Sequence, residues 1–248
     1  MNITNASSSP NAAPACVERA SAPLRVGGLT ALSATDYPGE LAAVVYCQGC
    51  PWRCAYCHNP HLLPREAPGT IVWDDLLQFL ERRRGLLDAV VFSGGEPTAQ
   101  PALAQAMRAV RALGYRVGLH SAGIYPRRFA DVLPLADWIG FDAKAPFDAA
   151  YERVTGIRGS AQAALASARR LLASRVPCEF RTTWDSETLF ADELERLAAT
   201  LADLGVTRYA LQQCRKDGRA GDRGRPWMGA AGLERIARRF AQFSVRRA

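Results

Sequence analysis

Lysine is nearly absent from this chain. Only Lys144 and Lys216 are lysines among its 31 basic residues; the rest are arginines. Clusters such as Arg82-Arg83-Arg84 and Arg238-Arg239 fall in helical segments, where a solvated face is the default. The net charge of +7 therefore comes without the basic stripe and interleaved aromatics of a nucleic-acid surface. No stretch of about 18 uncharged apolar residues occurs, so no membrane-spanning helix is expected. The opening MNITNASSSPNAAPA has no basic segment followed by an apolar core. Residues 1–23 read as a disordered leader rather than an export signal. With seven cysteines, that predicts a reducing, cytoplasmic setting. A phosphate loop of the form G-x4-G-K-[ST] is missing as well.

What is present alternates with regularity. Apolar runs occur at 41–47, 88–93, 115–121, 138–144, 178–183 and 208–214. Helix-period segments lie at 73–84, 101–113, 127–135, 160–174, 190–204 and 230–243. Gly85, Gly114 and Gly205 stand where helices should stop, and Pro101 suits a first turn. Residues 24–39 read as an extended lead-in or hairpin. Six β/α units argue for parallel strands with right-handed crossovers. A closed eight-unit barrel takes typically ~250 residues. The expected fold is thus α/β, an incomplete (β/α)6 TIM-like barrel open on one side, in a single domain over 24–248.

The run QGCPWRCAYCHNP holds Cys50, Cys54 and Cys57 with the spacing C-x3-C-x2-C. Three thiolates so close can converge on one side of a loop, and no fourth cysteine follows to close the set. A cubane iron–sulfur cluster normally takes four thiolates, so three leave one iron open. A four-thiolate zinc site using Cys47 is the competing reading, as is a mixed site with His58 or His61. Zinc-ribbon pairs, however, usually lie roughly 15–20 residues apart. Cys47 ends the run LAAVVYC and reads as a small core hydrophobe. Cys16, Cys178 and Cys214 form no second cluster.

Polar residues gather where the strands end, which is where parallel α/β folds build active sites. Gly94-Gly95-Glu96-Pro97 follows the second strand as a strand-to-helix turn. Its glycines allow close backbone approach to a ligand, and Glu96 can hold an ammonium group or favour a helix N-terminus. Tyr56, between two candidate ligands, could shield a cluster, pack on an adenine ring, or simply fill the loop. Ser121 suits a carboxylate, a ribose or a helix cap. His120 reads as a satisfied strand-end histidine. Asp142 and Lys144 share strand parity, can pair, and could contact a zwitterion or a substrate backbone. Arg181 is expected to point inward, and Gln212 and Gln213 end the sixth strand.

Together these motifs resemble the radical S-adenosylmethionine superfamily. The resemblance rests on the cysteine triad after the first strand, Tyr56 before its last cysteine, and Gly94-Gly95-Glu96 after the second. CAYCHNP, residues 54–60, is similar to the glycyl-radical-enzyme activating group. The wider text, including FSGGEPTAQPAL, VGLHSAG and LQQCRKDG, is similar to single-cluster activators of anaerobic ribonucleoside-triphosphate reductase. The resemblance implies that Cys50, Cys54 and Cys57 bind a [4Fe–4S] cluster whose open iron chelates S-adenosylmethionine. Gly94, Gly95 and Glu96 would line the methionine amine, and Ser121, Asp142, Lys144 and Arg181 would sit near the cofactor. Reductive cleavage would give a 5′-deoxyadenosyl radical that takes hydrogen from a glycine of a glycyl radical enzyme. A low-potential electron donor such as flavodoxin is implied too. Residues 58–72 are too short for a ferredoxin-like insert, which argues for one cluster, and Ser121 stands where the family often has threonine. The alternatives are a 7-carboxy-7-deazaguanine synthase-like enzyme acting on a small pterin, and a zinc-bound interaction module. The former usually continues its loop Cys-Asp-Thr, where this chain has Cys57-His58-Asn59.

Overall fold

A computed structural model describes residues 22–216, 219–220 and 228–247. The leader expected over 1–23 lies outside the described residues except for its last two positions. Strand β1 (Val26–Ser33) is the first arm of a hairpin, antiparallel to β2 (Ala42–Cys47). From β2 the sheet continues in sequence order through β3 (Ala89–Gly94), β4 (Arg116–Ser121), β5 (Trp138–Asp142), β6 (Cys178–Trp184) and β7 (Arg208–Gln213). These six strands are mutually parallel, and β1 is one edge of the sheet, bridged only at Val26 by Ile71, so the barrel is open. A short ribbon, β8 (Arg215–Lys216) with β9 (Arg219–Ala220), stands outside the sheet.

The other edge carries a strand that the sequence pattern hides. The helix expected over 230–243 stops early: α7 spans Ala230–Ala237, and β10 (Gln242–Arg246) then pairs parallel to β7. Phe240 and Phe243 are spaced like one face of a helix, but both rings pack on Tyr209 of β7, with centroids 4.8 and 5.9 Å away. A second departure lies between β5 and β6. One helix is expected there, and the chain forms two, α4 (Ala149–Thr155) and α5 (Ser160–Ser174).

The remaining helices are α1 (Trp73–Glu81), α2 (Leu103–Ala112), α3 (Pro126–Val132) and α6 (Ala191–Asp203). Each buries an apolar stripe. In α6 it is Leu194, Leu197, Ala198 and Leu201, the i, i+3, i+4, i+7 spacing of one helical face. The main core lies between these stripes and the outer face of the sheet.

The inner face is layered. At its base Tyr37, Ala42, Val44, Ala89, Val91 and Trp138 form a separate apolar plug. Above the plug the same strand faces turn polar, with Tyr46, Ser93, His120, Asp142, Arg181, Thr183 and Gln212. The period-2 alternation of each strand thus gives one face to the helices and the other to a plugged cup whose mouth lies at the strand ends.

Candidate cluster and cofactor site

The cup is a cavity of about 280 Å³. Its lining includes the eleven candidate cluster and cofactor residues: Cys50, Cys54, Cys57, Tyr56, Gly94, Gly95, Glu96, Ser121, Asp142, Lys144 and Arg181. Cys47 is fully buried in the helix-facing core and lines no part of the cavity. Strand parity accounts for this, because Tyr46 points in and Cys47 points out.

The cysteine loop is held at several points. Gly49 N donates to Leu62 O at 2.8 Å and Cys50 N to Leu63 O at 3.2 Å. The buried Gln100 amide donates to Gln48 O and Arg25 O, and Gln48 donates to Pro64 O. On the far side Arg53 N donates to Thr155 O at 2.9 Å, and Trp52 meets Tyr151 edge-on at 5.7 Å, so α4 buttresses the loop. Signals for α4 exist in the sequence: Asp148 accepts from Ala150 N as a cap, and Gly156 ends the helix in the left-handed region.

The glycine turn is fitted against the same loop. Gly95 N donates to Cys47 O and Glu96 N to Gly49 O. A Cβ on Gly95 would lie 2.5 Å from Gly49 O, so only glycine permits this approach. Glu96 is 1% exposed and receives four hydrogen bonds, from Thr98 N, Thr98 Oγ1 and Ser121 Oγ on Oε1 and from Ala122 N on Oε2. Burial pushes its carboxyl up, and these donors act against the shift. Both residues therefore have an internal job: Ser121 ties the end of β4 to the turn after β3, and Glu96 caps the short turn that follows.

The opposite wall carries the charges. Arg181 Nε donates to Asp142 Oδ1 at 2.9 Å, Lys144 Nζ donates to Asp142 Oδ2 at 3.3 Å, and Arg181 Nη1 lies 3.0 Å from His120 Nε2. A side chain at position 140 would collide with the guanidinium, and Gly140 leaves that room. Burial alone would raise the Asp142 carboxyl, but Arg181 and Lys144 hold it well below the carboxylate range. Burial and then Arg181 push the His120 imidazole down to about 3, so the ring is neutral. Two cations face one carboxylate here, leaving a net positive charge for an anionic ligand group. Strand parity in the sequence places these charges inside, but it does not give the packing of His120 against Ser93 Oγ and Asp36 O.

Three observations bear on what the cavity can hold. The donor set is three free thiols from one loop. Burial, with Glu96 nearby, pushes the Cys50 thiol up to about 12, and burial raises Cys54. Binding a metal would therefore have to displace protons. The Tyr56 hydroxyl is buried at this wall without a partner, while Lys144 Nζ lies 5.9 Å from the ring centroid. Among the described residues no three His, Cys, Asp or Glu donors converge as a single ion would require. Three thiols along a loop, beside a turn with exposed backbone, instead fit a larger cluster with one open position.

The sequence pattern of the Radical SAM superfamily matches residues 44–188. This chain belongs to that superfamily. Its members use a [4Fe–4S] cluster and S-adenosylmethionine. A Methanocaldococcus jannaschii protein named as a glycyl-radical enzyme activating enzyme is 29% identical over 197 residues, 76% of this chain and 79% of that one. A pyruvate formate-lyase-activating enzyme of Clostridium pasteurianum is 30% identical over 137 residues, 53% and 57% of the two chains. A 7-carboxy-7-deazaguanine synthase of Methanopyrus kandleri is 32% identical over 130 residues, 44% and 52%. The radical-SAM fold recurs in Streptococcus suis SuiB bound to S-adenosylmethionine. There the TM-score is 0.61 at 15% identity, over 83% of this chain and 49% of that chain.

Proposed function

We propose that this radical SAM protein is a single-cluster activase that places a radical on a glycine of a protein partner, anaerobic ribonucleoside-triphosphate reductase. The observation that carries the reading is that the three thiols of the CAYCHNP loop and the Gly94-Gly95-Glu96 turn line one cavity. Cys50, Cys54 and Cys57 would hold the cluster. The backbone of Gly94 and Gly95 would face the ammonium group of S-adenosylmethionine, and Lys144 with Arg181 would meet its carboxylate. When bound, the cluster and S-adenosylmethionine supply a carbon-centred radical able to abstract hydrogen. The chain's own part is orientation and shielding. Trp52 and Tyr56 cover the loop with apolar surface, and Asp142 keeps Lys144 and Arg181 fixed. The open side of the barrel suits a polypeptide loop as substrate, and a low-potential donor such as flavodoxin would deliver the electron.

The test is anaerobic reconstitution with iron and sulfide, reduction with S-adenosylmethionine present, and addition of a candidate reductase. A glycyl radical signal on the reductase supports the reading; cofactor cleavage with no radical on any glycyl enzyme tried overturns it. The relative from Methanopyrus kandleri favours a second reading, a synthase acting on a small pterin. Turnover of a pterin substrate by the same preparation would decide for it.

A further inference from the structure

The wall formed by β6 and β7 carries two polar side chains that the proposed function leaves unused. Thr183 and Gln212 are register partners, both are half-buried, and both line the cavity. They stand far along the strand order from the cysteine loop on β2, yet on the same cavity. The charged groups inside, together with Ser121 and His120, are committed to one another, while the Tyr56 hydroxyl has no partner. Glu96 takes Ser121, Arg181 takes Asp142 and His120, and Asp142 takes Lys144. Even Thr182, next in sequence but on the other face, donates to Ala143 O at 2.8 Å. Thr183 Oγ1 and the Gln212 carboxamide make no hydrogen bond to any described residue.

Free polar groups on a cavity wall lose water when a ligand enters, which is costly unless the ligand pairs with them. A carboxamide offers a donor and an acceptor side by side, and a hydroxyl offers one donor with two acceptors. That set complements a neutral amide, which presents one N–H and one C=O. An anionic group would go instead to the neighbouring charges, where Lys144 and Arg181 outnumber Asp142. We propose that Thr183 and Gln212 form a peptide-backbone subsite that reads the amide flanking the target glycine. The inference rests on the polypeptide-substrate reading and specifies how that substrate is held.

The test measures binding of N-acetyl-alanyl-glycyl-alanine amide to the full chain by ligand-observed NMR, beside an analogue in which an ester oxygen replaces one backbone N–H. The ester should bind the unaltered chain more weakly than the amide, a comparison that needs no variant. Gln212→Leu and Thr183→Val should each weaken amide binding by roughly three- to tenfold. Thr183→Ser should retain it, and Gln212→Leu should bind ester and amide alike. Equal affinity of the unaltered chain for amide and ester overturns the subsite, and so does the absence of any peptide binding. Saturation by a pterin that the peptide cannot displace overturns it too. A chain that radicalises its partner but ignores these changes disproves the subsite alone. Failure to cleave S-adenosylmethionine with a loaded cluster disproves the reading beneath it.

Discussion

Asp142 and Arg181 are register partners across β5 and β6, and Arg181 Nε donates to Asp142 Oδ1 at 2.9 Å. The same carboxylate holds Lys144, so one anion orders both cations of the cavity. Asp142→Asn would leave two cations with no counter-charge in a confined site. Because Asp142 is 29% exposed, screening softens the cost. We expect a loss of about 2–3 kcal/mol in urea unfolding. A second change, Arg181→Met, should recover part of it; further destabilisation by the double change would show that the pair is not coupled as described.

Ser121 and Glu96 form the buried strut between the ends of β3 and β4. Glu96→Gln would set an amide among four donors and leave at least one unpaired. The expected cost is about 2–3 kcal/mol, with Ser121→Ala costing about 1–2 kcal/mol. Chemical denaturation measures both, and equal stability of Glu96→Gln and the unaltered chain would show that the strut does not matter.

His120 gives a pH signature. Its folded value lies near 3, below the unfolded value of about 6.5. The stabilisation is therefore present above about pH 6.5 and is lost as pH falls, since only the unfolded chain takes up the proton. The slope is about 1.4 kcal/mol per pH unit between those limits. Comparison with His120→Gln isolates the effect from the carboxylates. A difference in stability that does not change from pH 6.5 to 4.5 would contradict the neutral, buried ring.

The glycine turn should tolerate no side chain. At Gly94 φ is +106°, and a Cβ would lie 2.5 Å from Cys47 N. Gly95→Ala would push on Gly49 O, at the root of the cysteine loop. Each change should cost about 2–3 kcal/mol or more. Gly95→Ala should also lower the iron and sulfide bound after reconstitution, which colorimetric analysis measures against the unaltered chain.

Much of this arrangement is legible in the sequence, for a physical reason. Parallel strands buried on both faces give continuous apolar runs such as AAVVYC, and amphipathic helices give a 3.6 period, so the six central units stand out. The cavity residues are legible because a polar group that ends an apolar run is costly to bury unless a partner or a ligand meets it there. Edges are harder. The strand at Gln242–Arg246 is only half-buried, and Phe240 and Phe243 imitate a helix until Tyr209 is seen beneath them. Helix α4 is only seven residues long, too short to display a period. The internal duties of Glu96 and Ser121 depend on contacts 25 residues apart, which no local pattern encodes.

The most direct test of the account is the amount of 5′-deoxyadenosine formed from S-adenosylmethionine by the anaerobically reconstituted, reduced chain, beside a Cys54→Ala variant treated identically. The account predicts 5′-deoxyadenosine from the unaltered chain, and loss of both cluster and product in Cys54→Ala. No product from a chain carrying a full complement of iron and sulfide, or equal product from Cys54→Ala, would contradict it.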